Sequence, residues 1–134
     1  MSVIDQLHQY AAERPQKPAV IAADGTLSFA ELDERTSRMA HVLYESGIRQ
    51  GDKVALVLGN DEAAQFATVY LGAMKLGAVP TPLNVRWARP EKLFVLSHSD
   101  AVAVVVGREH LTMLQDLPTM PQLEIAGQPT KLAL

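Results

Sequence analysis

The chain has 134 residues, 48% hydrophobic and 20% charged, which is the composition of one ordinary globular domain and not of a disordered segment. Lys and Arg number 12 against 15 Asp and Glu, a net charge of −3 with no run of one sign, so the basic footprint that nucleic acid or an anionic membrane surface needs is missing. Aromatics at 5% give no stacking platform, and the lack of cysteine removes disulfides, thiolate metal sites and cysteine nucleophiles.

The first residues lack the basic stretch and apolar core of a signal peptide, and the longest apolar run, Ala101 to Val106, is too short to span a bilayer. A cytoplasmic chain is expected. Val3 to Glu13 predicts a helix that Arg14-Pro15 ends. Pro18 to Ala23 reads as a strand, Asp24-Gly25 as a primed hairpin turn, and Thr26 to Ser28 or Phe29 as the returning strand. Ser28 and Glu31 form a capping box, each side chain able to take an orphan N–H at a helix start. Behind it Leu32, Thr36, Met39 and Leu43 repeat at helical spacing, with Glu31–Arg35 and Glu34–Arg38 as charge pairs opposite, and Gly47 as the stop.

Val54 to Leu58 is a solid apolar run, the pattern of a strand covered on both faces. Asn60 or Asp61 is the predicted cap of a helix running to Lys75, with Phe66, Val69, Tyr70 and Ala73 inward and Gly77 closing it. Ala78 to Pro82 follows as a short strand whose prolines limit its ladder, so strand, helix and strand make a parallel, right-handed crossover. The unit repeats: Pro90 at the first helical position, Leu93, Leu96 and Phe94 inward along Glu91 to His98, then a second covered strand from Ala101 to Val106, ended by Gly107. His110 to Leu117 reads as one more short helix. Residues 118–134, with Pro118, Pro121 and Pro129, read as an irregular tail, leaving residues 1–117 as a partial α/β subdomain. The fold class is therefore α/β, a layered sheet with parallel βαβ crossovers. With so little chain left to protect both sheet edges, the domain reads as incomplete and prone to association.

Candidate chemistry is sparse. Gly72 and Gly77 have P-loop spacing, but Ala78-Val79 replace the Lys-Ser/Thr, so they read as helix packing and a helix stop. His8, His41, His98 and His110 have no metal-ligand spacing, and no serine lies in a Gly-x-Ser-x-Gly elbow. His98 and Asp100 read as a solvated helix end, and Asp61-Glu62 as acids favoured by a helix dipole. Arg86, Trp87 and Arg89 lie in a loop leaving a strand, where α/β proteins place ligands. Trp87 reads as packing that loop on the next helix and Arg86 as anchoring carboxylates or carbonyls. A ligand contact or a partner interface are the other readings.

Several blocks, in order, resemble the beginning of an acyl-CoA synthetase of the adenylate-forming, AMP-binding family: Ala19 to Glu34, Gly47 to Leu56, Leu58-Gly-Asn60, Tyr70 to Val79, Thr81 to Arg86, and Glu91 through Ser99 into the valine strand. The resemblance covers residues 1 to about 110. It implies carboxylate activation through an acyl adenylate in a complete relative, using ATP, Mg2+ and CoA. It also implies a Ser/Thr/Gly-rich phosphate loop ending in Pro-Lys, a Tyr-Gly-x-Thr-Glu stretch, a ribose-binding Asp, a hinge and a C-terminal lysine, none of which this sequence contains. The family's matched residues here are architectural, so no catalytic, cofactor-binding or metal residue carries over. The expectation is an inactive N-terminal fragment. The alternatives are one chain of a split ligase or a non-catalytic interaction module, with a remaining ligase segment or a second copy as partner.

Overall fold

The structure, a computed structural model, describes residues 2–107, 110, 122–126 and 128–133, the last two segments by their backbone pairing. Helix α1 spans Val3–Glu13, strands β1 and β2 Pro18–Ala22 and Gly25–Ser28, and helix α2 Phe29–Glu45. Strand β3 is Lys53–Val57, a 3-10 turn covers Asn60–Glu62, helix α3 is Ala63–Leu76, strand β4 is Val79–Pro82 and helix α4 is Arg89–His98. Strands β5, β6 and β7 are Ala101–Gly107, Gln122–Ala126 and Gln128–Ala133.

β1 and β2 form an antiparallel hairpin, while the other strands form one sheet in the order β4-β3-β5-β6-β7. The first four of these are parallel and β7 runs back along β6. Side chains alternate along β3 and β5, so one set, Val54, Leu56, Ala103 and Val105, meets α3 and α2 through Val69, Ala73, Met39 and Leu43. The other set, Ala55, Val57, Val104 and Val106, packs with Leu96 of α4. Both faces are covered, as the unbroken apolar runs require. Leu43, Leu56 and Leu96 are fully buried, each worth about 1.5–3 kcal/mol relative to exposure.

The capping box is present: Glu31 N donates to Ser28 Oγ at 3.1 Å and Ser28 N to Glu31 Oε1 at 3.0 Å. Leu32, Thr36, Met39 and Leu43 are the buried residues of α2. Of its two expected charge pairs, Glu34–Arg38 forms, whereas the Glu31 carboxylate is committed to the cap. A second box, Ser2 with Asp5, opens α1. Gly72 lets α3 close on α2, since a Cβ there would lie 2.7 Å from Met39 Cβ, and Gly77 stops α3 at φ +84°.

Several expectations change. The hairpin turns on Ala23-Asp24, with Gly25 paired to Ala22 inside β2 at φ +146°; Gly25 alone of the turn residues needs the glycine-favouring region. Neither Asn60 nor Asp61 caps α3, because the chain makes a 3-10 turn first. Pro90 is the second residue of α4, behind Arg89. Phe94 points outward and is 63% exposed, while Lys92 is buried in its stead. The tail expected to be irregular contributes β6 and β7, and β6 pairs directly with β5, covering the edge that the sequence left open. Gln122 to Ile125 does alternate polar and apolar, but over four residues between Pro121 and Pro129, too short a run to stand out as a strand. Of the helix expected from His110 to Leu117, residues 111–117 lie outside the described residues.

Candidate functional site

The carboxyl ends of parallel strands open into crevices where neighbouring crossovers diverge. β4 and β5 lie on opposite sides of β3, so the chain past β3 and the chain past β4 separate there. Between them is a crevice of about 610 Å3 lined by Leu58, Gly59, Asn60, Ala63, Phe66 and Leu83 to Arg86. One wall is the 3-10 turn and the first turn of α3, where Phe66 stacks on Tyr70 with ring centroids 5.6 Å apart. The other wall is fixed by Leu83 N donating to Leu56 O at 2.9 Å. Beyond it Asn84 Oδ1 accepts from Arg86 N at 2.9 Å and Asn84 O accepts from Trp87 N at 3.1 Å, folding the loop into a turn.

The three loop residues singled out by sequence are divided. Arg86 lines this crevice and is the ionisable side chain among the described residues that do. Trp87 lies on a separate concavity of about 510 Å3 with Pro90, Glu91, Phe94 and Val95. Arg89 begins α4. His98 and Asp100 share no site: the His98 ring stacks on Phe94 at 4.2 Å, and Asp100 is a turn residue at φ +60°. Among the described residues no three His, Cys, Asp or Glu side chains gather as a metal site, and no helix is long and apolar enough to cross a membrane.

A polar cluster at the same end of the sheet has no periodic signal in the sequence. Glu62 Oε1 accepts from Gly59 N at 2.8 Å, and His110 Nε2 lies 3.6 Å from the same oxygen. Both side chains are largely buried, 14% and 22% exposed. Glu62 rests on Gly107, where a Cβ would collide with the carboxylate. His110 Nε2 makes no hydrogen bond among the described residues. The acids at positions 61 and 62 were legible as a helix start, but their closeness to His110 comes from the sheet bringing the ends of β3 and β5 together.

Compared with known proteins, residues 7–132 match the AMP-binding enzyme family. The chain belongs to that family. It is 38% identical over 103 residues to the long-chain-fatty-acid–CoA ligase FadD13 of Mycobacterium tuberculosis, covering 75% of this chain and 20% of the relative. It is 37% identical over 90 residues to a crotonobetaine/carnitine–CoA ligase of Escherichia fergusonii, covering 67% of this chain and 17% of that one. A solved Mycobacterium tuberculosis fatty acyl CoA synthetase superposes with a TM-score of 0.79 at 30% identity, over 91% of this chain and 26% of that one. An anthranilate CoA ligase, AuaEII, solved with anthranoyl-AMP, shares the fold at a TM-score of 0.86 and 24% identity, over 97% of this chain and 26% of that one. The chain thus spans about a fifth of the length of the curated relatives it matches.

In α/β folds the N–H groups at a helix start often hold nucleotide phosphates. Here those groups are already engaged by the protein's own carboxylates. Asp24 Oδ1 accepts from Ala64 N and Asp24 Oδ2 from Gln65 N, while Glu62 holds Gly59 N. This strand–turn–helix does not fit the triphosphate of ATP, and no nucleotide step is derived from it.

Proposed function

We propose that this chain is the N-terminal α/β portion of an ATP-dependent carboxylate–CoA ligase, acting in the cytoplasm, in which the acid is activated as an acyl adenylate before transfer to CoA. The match to the AMP-binding family across residues 7–132 carries the reading. ATP, Mg2+ and CoA belong to the complete enzyme. This portion supplies scaffold: a covered parallel sheet and a crevice at its carboxyl edge. Forming an adenylate means stabilising departing pyrophosphate, which takes a metal, backbone N–H groups and a positioned cation acting together. Among its described lining residues the crevice offers a lone arginine, Arg86, and the neighbouring helix start is filled by Asp24, so that set is not assembled here. Alone, the chain is inactive.

Two measurements test this. The purified chain with ATP, Mg2+, CoA and a panel of fatty and aromatic acids is expected to release no carboxylate-dependent pyrophosphate; release above a boiled control overturns the claim that the chemistry resides elsewhere. Replacing the matching segment of the Mycobacterium tuberculosis FadD13 ligase with this chain is expected to preserve CoA-ester formation. A folded but inactive chimera, beside an active parent ligase, overturns the scaffold assignment.

A further inference from the structure

We infer that the outer side of α4, formed by Trp87, Pro90 and Phe94, is the seat for the part of an adenylate-forming ligase that this chain does not span, an inference that rests on the functional reading above. α4 is apolar on two sides. Leu96 and Val95 pack inward on the sheet, while Phe94 and Trp87 stand 63% and 38% exposed on the outside. Pro90 and Phe94 stand one turn apart on the outer side of α4, and Trp87 joins them from the loop before it, making one exposed apolar patch of the kind that marks contact surfaces. The sheet has helices on both faces. One carries α3 with α2 packed behind it, and α4 lies on the other.

The outer concavity also includes Glu91 at its rim, so an apolar floor meets a polar edge as in protein–protein contacts. Its size selects the occupant. Full burial of an aromatic side chain removes about 150–250 Å2, and Trp87 and Phe94, 38% and 63% exposed, have only part of that left to cover, well short of the roughly 800 Å2 per partner that stable association of separate molecules needs. The patch is therefore poorly suited to a dimer of this chain held by this face alone, and better suited to one zone of a longer contact. The matched relatives provide that length: this fold accounts for 26% of the superposed fatty acyl CoA synthetase chain.

The test uses the whole chain with 5-fluorotryptophan at Trp87, its one tryptophan, and the FadD13 ligase lacking its matching segment. Expected are one-to-one co-elution, a shifted fluorine resonance, and association about tenfold or more weaker for Phe94→Glu. Tyr44→Glu, a change at a half-exposed residue of α2, is expected to leave association unaltered. Equal binding by Phe94→Glu overturns the seat, as does a fluorine shift with doubled mass for the chain alone, which assigns the face to a second copy. Should the shortened ligase not fold, the same substitution goes into the chimera: an unchanged melting temperature and activity there overturn the seat while leaving the ligase reading intact. An inactive, folded chimera counts against the ligase reading itself.

Discussion

Asp24 caps helix α3 from a hairpin turn 40 residues earlier in the chain, its carboxylate accepting from Ala64 N at 2.9 Å and from Gln65 N at 3.1 Å. Leu7, Leu27, Leu32 and Ala64 form the small core that brings the hairpin beside the start of α3, so packing delivers the cap. Asp24→Ala is expected to destabilise the fold by about 1 kcal/mol, the usual cost of a lost helix cap. Asn60→Ala, at the residue that sequence alone nominates, is expected to cost less. Urea denaturation of both variants ranks them, and the reverse order refutes the assignment.

Ser28 is a helix initiator. Ser28→Ala removes the acceptor for Glu31 N and leaves the Glu31 carboxylate with one half of the box, so a loss of about 1 kcal/mol is expected. A denaturant midpoint equal to that of the parent contradicts it.

Gly72 is a packing residue. Gly72→Ala sets a methyl against Met39 and 3.1 Å from Thr36 O, deep between α2 and α3. Overpacking of this kind costs about 1–3 kcal/mol, against which alanine's better helix propensity returns about 1 kcal/mol, leaving a net loss of up to about 2 kcal/mol. A lowered melting temperature is expected, and Met39→Ala in the same chain should recover part of the loss that Gly72→Ala causes. Independent, additive effects would separate the two residues.

Acid should loosen the helical layer through Asp33. Burial pushes its pKa up, but the hydrogen bond and charge of Lys75, with His8 behind them, more than reverse this and leave it below the ordinary 3.8. Lys75 Nζ donates to Asp33 Oδ1 at 2.6 Å, Asp33 O at 2.8 Å and Ser37 Oγ at 2.8 Å, tying α3 to α2. A carboxyl whose folded pKa is depressed stabilises fully above its unfolded value, and the contribution vanishes as pH falls through the folded one. The Ser2 and Ser28 bonds lower Asp5 and Glu31 in the same direction. Stability should therefore decline on acidification below pH 3.8, and Lys75→Met should flatten that decline. Denaturant midpoints across the acid range decide it; parallel curves for the two proteins would remove Lys75 from the effect.

The elements that were legible in sequence are those whose signals are local. The box at Ser28, the helical stripe from Leu32 to Leu43, the stop at Gly77 and the runs at Val54 and Ala101 all express backbone needs within a few residues of themselves. Relationships made by the tertiary fold were not. Asp24 reads as a turn residue until the hairpin is seated against α3, and Phe94, expected inward, faces out because it lies two residues, over half a helical turn, from the buried Lys92 and Leu96. The crevice was visible only as a loop with two arginines and a tryptophan. Which of them faces it depends on the Asn84 turn, which turns Arg86 toward the crevice while Trp87 joins the α4 concavity.

The prolines of β4 close one edge of the sheet to further pairing. Val79 N donates to Asp52 O and Leu83 N to Leu56 O, both toward β3. Alternation along a strand then turns positions 80 and 82 away from β3, and both are proline, without an N–H to offer. An incoming strand would find carbonyl acceptors at those positions and no donors. The margin beside β4 is thus a finished selvedge, where a mispaired neighbour gains little purchase.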